Sequence, residues 1–296
     1  MRVADQWKDY ALLDCSGGER LERWGEVFLI RPDPQVIWRR EQSSRCGQAS
    51  PLWAKAHARY ERSPSGGGHW ETLRPMPEEW KISYRELKFA VKPMGFKHTG
   101  LFPEQAVNWD LLAAHIRKSD RPLQVLNLFA YTGGATLACL AAAAGHGTCG
   151  AHVTHVDAAK GMVQRARDNA ALSGLSDRPV RWIVDDCVKF AQREIRRGNK
   201  YDVILLDPPS YGRGPGGEVW QLTEELDGFI ALCAELLGEK AMLLLNSYSA
   251  ELSPAVMQYL LARRLGGQVT CDEIGLPVES TGLVLPCGST AIWEGV

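Results

Sequence analysis

Along the second half of the chain, apolar runs of strand length alternate with segments whose apolar residues recur at helical spacing. LQVLNLF (123–129), HVTHVD (152–157), VRWIV (180–184), YDVILLD (201–207) and AMLLLNS (241–247) read as strands. Between and after them the pattern predicts helices from Gly133, Ala159 and Cys187, near Leu222–Leu237 and near Ser253–Arg264, then two closing strands. Such regular alternation predicts a parallel, doubly wound α/β sheet. Just upstream, PEQAVNWDLLAAHIRKS from Pro103 carries proline near its start and basic residues at its end, which predicts a further helix.

The first hundred residues follow another pattern. YALLDCSGG (10–18), WGEVFLIRPDP (24–34) and VIWRRE (36–41) are short apolar runs broken by Gly, Pro and Asp, and they read as strands with turns. RSPSGGGHW (62–70) reads as a loop or hairpin tip. Seven of the ten tryptophans lie at or before Trp109. The expected organisation is a smaller β-rich domain over 1–95 and a larger α/β domain over 96–296.

Composition changes this picture mainly by exclusion. At 296 residues the chain is long enough for these two domains. Its net charge of -1 supplies no global positive field, so a nucleic-acid partner would need a local patch. No run of eighteen apolar residues occurs, which argues against a membrane span. The N-terminus MRVADQWKDYALLD has no secretory core, and cytoplasmic residence is the expectation. The eight cysteines are scattered without a C-x-x-C pair, which suits reduced thiols rather than disulfides or a structural metal.

The ends of the apolar strands carry the candidate chemistry. After the first, Tyr131-Thr132-Gly133-Gly134 opens a helix, so small residues and free N–H groups stand where a ligand can approach. The dinucleotide fingerprint G-x-G-x-x-G is absent. Asp157 ends the next strand 24 residues past Gly133, the offset at which an acidic side chain accepts from ribose hydroxyls. A helix cap is the competing role for Asp157. Asp185-Asp186-Cys187 ends the third strand, where Asp186, or alternatively Asp185, can accept an adenine amine unless it merely caps the helix. Phe129 and Trp182 are candidate walls for the adenine, with plain core as the alternative.

Asp207-Pro208-Pro209-Ser210 follows a fully apolar strand. Two prolines withhold N–H donors and leave carbonyls to point outward, so the Asp carboxylate and a proline carbonyl form a paired acceptor. Such a pair can hold an amino or ring N–H while the nitrogen lone pair attacks a methyl group. Tyr211 is placed to stack on a planar base, and the glycine-rich GRGPGG (212–217) reads as a lid or a connection.

Together these motifs resemble class I S-adenosylmethionine-dependent methyltransferases. More narrowly, they are similar to the bacterial family of large-subunit ribosomal RNA methyltransferases acting on cytosine C5 and guanine N7. The residues that carry the resemblance are Asn127–Gly133, Val156–Asp157, Asp185–Cys187, Asp207–Ser210 and Gly100–Gln105, in order, within about 95–296. It implies a Rossmann-like sheet of seven strands, the last antiparallel. It also implies S-adenosyl-L-methionine held by Phe102, Gln105, Asn127, Phe129, Tyr131, Thr132, Gly133, Asp157, Ala158, Asp185, Asp186, Cys187 and Asp207. Asp207, Pro208, Pro209 and Tyr211 would then serve methyl transfer.

The chain departs from that pattern where cytosine-C5 members carry a nucleophilic cysteine in S-C-S, because here the stretch is Asn246-Ser247-Tyr248-Ser249. C5 methylation needs a thiolate, so a base nitrogen is the expected acceptor, with oxygen as the alternative. A second departure is the insertion AGHGTCGA (144–151).

RNA, ribosomal in particular, is the expected partner. Arg39, Arg40, Arg45, Lys55, Arg59 and Arg62 interleave with tryptophans as a candidate RNA surface, although residues 1–110 hold only 17 basic against 15 acidic groups. Lys189, Arg193, Arg196, Arg197 and Lys200 form a basic helix face, and Lys97 and His98 stand near the expected substrate entrance. His155 reads as core. The competing readings are a methyltransferase acting on a small molecule or protein, and a non-catalytic RNA-binding assembly factor.

Overall fold

The computed structural model describes residues 1–39, 51–63, 67–95, 97–142, 150–214 and 216–295. The chain divides into two compact units, one of Met1–Arg2, Gln105–Gly275 and Pro286–Val296, the other of Val3–Glu104 and Leu276–Leu285. Residues 96–104, expected with the larger domain, therefore group with the smaller one, and a stretch from near the C-terminus joins them. Among the described residues no helix is long and apolar enough to cross a membrane.

The large sheet runs in the order Val269–Pro277, Val284–Glu294, Leu237–Ser247, Tyr201–Leu206, Leu123–Leu128, Ala151–Asp157, Val180–Val184. Arg2–Val3 adds a two-residue strand at the first edge, making eight where the resemblance implied seven. The five strands from Leu237–Ser247 to Val180–Val184 pair in parallel, and Val284–Glu294 is antiparallel to Leu237–Ser247. Central strands such as Val203–Leu206 and Met242–Leu245 are wholly buried, as strands covered on both faces must be.

Alternation along the strands sorts the core by face. Leu126, Leu128, Ile204, Leu206, Leu243 and Leu245 pack with Phe190, Phe229, Met257 and Leu261, so helices Cys187–Arg196, Leu222–Leu236 and Pro254–Leu265 cover that face. Helices Ala106–Lys118, Gly134–Ala142 and Lys160–Leu172 form the other group, packing against one another and on strands Leu123–Leu128 and Ala151–Asp157. The helix expected from Pro103 begins later, because Pro103–Gln105 makes a single 3-10 turn before Ala106. Chain order places Ala151–Asp157 on one side of Leu123–Leu128 and Tyr201–Leu206 on the other, which makes that strand the switch point of the sheet. The insertion 144–151 lies almost wholly outside the described residues.

In the smaller unit, Tyr10–Ser16, Glu19–Trp24, Val27–Pro32, Ala58–Arg62 and Gly68–Thr72 form a five-stranded sheet, and Trp80–Tyr84 pairs with Leu87–Val91. The segment RSPSGGGHW joins two antiparallel strands, so it is a hairpin, with its tip outside the described residues. VIWRRE is not a strand over its described part.

Most tryptophans here are bonded within the unit. Trp24 is fully buried, and the indole N–H groups of Trp7, Trp38, Trp53, Trp70 and Trp80 donate to Pro103 O, Cys15 O, Asp14 Oδ2, Met94 O and Trp24 O. Glu22, also fully buried, accepts from Arg31 Nη2 and Tyr10 Oη at 2.8 Å each. Burial pushes its carboxyl up, but Arg20 and Arg31 outweigh that and hold it at about 2. Lys97 donates to Pro32 O, and burial beside Arg20 and Arg31 lowers it to about 8 and His98 to about 4.

Candidate functional site

Register brings the predicted strand ends to one level. Leu128 pairs with Val156 and with Leu206, and Leu206 with Leu245, so Phe129, Asp157, Asp207 and Asn246 stand side by side at the strand ends. Bonding continues past the strands, with Ala130 N donating to Val156 O (3.0 Å), Asp185 N to Asp157 O (3.1 Å) and Asp207 N to Leu128 O (3.5 Å). The loops are therefore tied to one another where they leave the sheet.

The first turn is sharply bent. Phe129, Tyr131 and Gly133 have φ of 56°, 49° and 89°, left-handed values that cost a non-glycine residue energy and persist only under surrounding constraint. Part of that constraint is visible: Phe129 N donates to Cys187 Sγ (3.3 Å), Tyr131 N to Asp157 Oδ2 (2.8 Å), and Asn169 Nδ2 to Thr132 O (3.1 Å). Asn127 is buried and its Nδ2 donates to Thr136 Oγ1 (3.0 Å), which also meets His155 Nδ1 (2.9 Å). His155 Nε2 is buried with no hydrogen-bond partner, and burial lowers the ring to about 3, so the imidazole is neutral.

The two glycines are closely packed by neighbouring helices. A Cβ on Gly133 would lie 2.9 Å from Ala166 Cβ, and one on Gly134 would lie 2.5 Å from Trp109 Cζ2. Neither position leaves room for a side chain on that face of the turn. Phe129 is half-buried, and its ring packs on Trp220 (4.9 Å) and Phe229 (5.7 Å). Trp182 lies against His155 at 4.9 Å.

Asp157 joins two turns. Its Oδ2 accepts from Tyr131 N and its Oδ1 from Ala159 N, both at 2.8 Å, and Ala158 between them is half-buried. Burial raises its carboxyl above the usual Asp range, against the two N–H groups, which favour the charged form. A half-buried carboxylate aimed by two backbone donors suits the hydroxyls of a ribose.

Asp186 is the cap of helix Cys187–Arg196, its Oδ1 accepting from Lys189 N at 2.9 Å. Asp185 accepts from Asp186 N at 2.9 Å and pairs with Arg193. Cys187 is buried and its thiol is pushed well up by burial, so it supports the turn and is no nucleophile. The basic helix face is largely paired: Lys189 meets Glu218, Arg193 meets Asp185 and Arg197 meets Glu194.

At the Asp-Pro-Pro edge Asp207 is half-buried, Pro208 buried and Pro209 exposed, while Tyr211 is 53% exposed. The Pro209 carbonyl is not left open, because Trp220 Nε1 donates to it at 2.7 Å. Tyr211–Arg213 and Val219–Gln221 pair antiparallel, so the glycine-rich stretch is the tip of a hairpin. Trp220 is a residue that sequence reasoning missed; its only signal was a tryptophan three residues after a glycine-rich tip.

Gln105 has its amide committed internally. Oε1 accepts from Asn108 Nδ2 (2.7 Å) and Asn246 Nδ2 (3.2 Å), and Nε2 donates to the Tyr248 hydroxyl (2.7 Å). Thr290 Oγ1 donates to Asn246 Oδ1 at 2.8 Å. Phe102 belongs to the smaller unit, with its ring edge-on to His98 at 5.6 Å. Among the described residues no cluster of His, Cys, Asp and Glu is arranged to hold a metal ion.

Comparison with known proteins gives the family. The family profile described as S-adenosylmethionine-dependent methyltransferase matches residues 30–265, and the chain belongs to that family. A crystal structure of the SAM dependent methyltransferase from Agrobacterium tumefaciens shares 37% identity and a TM-score of 0.89, over 100% of this chain and 93% of that one. Ribosomal RNA large subunit methyltransferase I of Shewanella denitrificans is 34% identical over 130 residues, 44% of this chain and 30% of its own length. The K/L enzyme of Colwellia psychrerythraea is 28% identical over 146 residues, 49% of this chain and 19% of its own. The chain thus spans less than a third of those curated relatives. The fold is the Rossmann-like methyltransferase sheet, and the protein is an S-adenosylmethionine-dependent methyltransferase.

Proposed function

We propose that the protein methylates a base nitrogen of ribosomal RNA. The observation that carries this reading is the level placement of Asp157, at the end of one strand, and Asp207, at the head of the Asp-Pro-Pro edge. Asp157, aimed by Tyr131 N and Ala159 N, would hold the ribose of S-adenosylmethionine. Asp186 or Asp185 would meet the adenine amine, and the Tyr131–Gly133 turn would face the rest of the cofactor. The cofactor supplies a methyl carbon on a positively charged sulfur.

Asp207 accepts the N–H of the acceptor nitrogen, orients its lone pair toward that carbon, and takes the proton the nitrogen releases. Trp220, by fixing the Pro209 carbonyl, holds the edge in place. A nitrogen acceptor fits the thiols: Cys139 is raised to about 12 by burial, Cys15 and Cys271 to about 11, and Cys187 and Cys233 are also raised, so none is a ready nucleophile for cytosine C5.

An RNA acceptor is supported by the names of the relatives, ribosomal RNA large subunit methyltransferases I and K/L. In the smaller unit, the exposed Arg39, Lys55 and Arg62 would meet phosphates beside the exposed Trp38, while Arg40 and Arg45 lie outside the described residues. Mass-spectrometric mapping of ribosomal RNA from cells lacking the protein, against the parent, tests this directly. One methylated nucleotide should be missing, and an unchanged RNA would overturn the assignment. In vitro, Asp207→Ala should lose roughly a hundredfold or more in methyl transfer.

A further inference from the structure

We infer that Tyr248 is a substrate-positioning residue whose ring is the surface on which the planar methyl acceptor lies. The inference rests on the proposed use of the Asp207 edge for methyl transfer. Tyr248 leaves strand Leu237–Ser247 two residues beyond Asn246, which register sets beside Asp207. Its side chain is 37% exposed, yet it is held from beneath by buried polar groups. Gln105 Nε2 donates to its hydroxyl at 2.7 Å, and Asn108 and Asn246 fix Gln105 in turn.

The ring lies against bare backbone. A Cβ on Gly288 would sit 2.8 Å from Ser247 O and 3.0 Å from Tyr248 Cδ1. The amides of Gln105 and Asn246 are bonded at both oxygen and nitrogen, which imposes one geometry on them, while Asn108 Oδ1 has no partner. Here that geometry immobilises a partly exposed aromatic ring before any partner arrives, which lowers the entropy lost on binding. Tyr211 supplies a second exposed ring beyond the neighbouring strand end. Rigid aromatic faces at a methyl-transfer edge match an acceptor with a flat π-face, and a nucleobase has one.

The test uses the full chain as wild type, Tyr248→Ala, Tyr248→Phe and Gly288→Ala. Calorimetry measures S-adenosylmethionine binding, and methyl transfer to ribosomal RNA fragments gives KM and kcat for the acceptor. Tyr248→Ala should raise the acceptor KM roughly ten- to a hundredfold and leave cofactor affinity unchanged. Tyr248→Phe keeps the ring and loses only its anchor, so its rise should be about threefold. Gly288→Ala keeps the tyrosine but tilts it, and should fall between the two. A Tyr248→Ala enzyme with the wild-type acceptor KM overturns the inference while RNA methylation by wild type upholds the proposed function. Failure of wild type to methylate RNA overturns both.

Discussion

The two halves of the candidate site are built on opposite plans. At the cofactor end, Asn127, Thr132 and Gly133 are buried, and Asp157, Asp185 and Asp186 are each bonded to backbone or to Arg193. At the acceptor end, Pro209, Tyr211 and Tyr248 are exposed, and what is buried lies behind them: Trp220 under Pro209, Gln105 and Asn246 under Tyr248. The difference teaches how one sheet edge serves two partners. A cofactor that is the same at every turnover suits a turn made rigid by its own bonds. The proposed acceptor, a base within a much larger RNA, would need faces open to solvent, held by a hidden frame.

The comparison breaks most visibly at Asp157. Asp157→Ala strips Tyr131 N and Ala159 N of their acceptor, so the turn should loosen as the ribose contact is lost. S-adenosylmethionine affinity measured by calorimetry should fall about a hundredfold; an unchanged affinity would show that the turn does not hold the cofactor. Protonation gives the same region a pH signature. Because burial raises the Asp157 carboxyl, it loses its charge, as pH falls, earlier than an ordinary Asp. Cofactor affinity should therefore decline on acidification from above the usual Asp range, and Asp157→Asn should abolish that dependence.

Next in size is a glycine contrast. Gly134→Ala forces a Cβ to 2.5 Å from Trp109 Cζ2, whereas at Gly212 of the acceptor hairpin a Cβ meets Pro209 Cγ at 3.4 Å, with room to give. Denaturant unfolding should show Gly134→Ala destabilised by roughly 1–3 kcal/mol. Gly212→Ala should stay within about 0.5 kcal/mol of wild type. Equal losses would mean that the two ends are equally packed.

The smallest effect is expected at Trp220→Phe, which keeps a ring on Phe129 and removes the donor to Pro209 O. Acceptor KM should rise about threefold, with cofactor affinity unchanged. A change in cofactor affinity instead would show that the hairpin serves the turn rather than the edge.

Much of this was legible beforehand because it is local. Apolar runs of strand length and helical spacing marked the alternating elements, and the abrupt polar ends at Asp157, Asp185 and Asp207 marked the rim. The extra strand Arg2–Val3 was not legible, since two residues carry no periodicity. Nor was the packing around Gly133 and Gly134. A glycine turn looks the same in sequence whatever stands beside it, and here Ala166 and Trp109 stand where a Cβ would point.

The partner of Gln105, at the end of the Gly100–Gln105 motif, was not legible either. Its amide meets Tyr248, 143 residues away. Similarly, the Pro209 carbonyl looked open until the hairpin brought Trp220 back over it.

By itself the sequence determined the class of sheet, the order of its elements and the acidic residues at their ends. Side-chain periods and breaker residues act over a few positions, so they can be read along the chain. Only the tertiary structure decided which of those groups are already committed to the protein's own frame. Hydrogen-bond partners and close packing are chosen across strands and helices, among residues far apart in sequence, by which arrangement leaves the fewest buried groups unpaired.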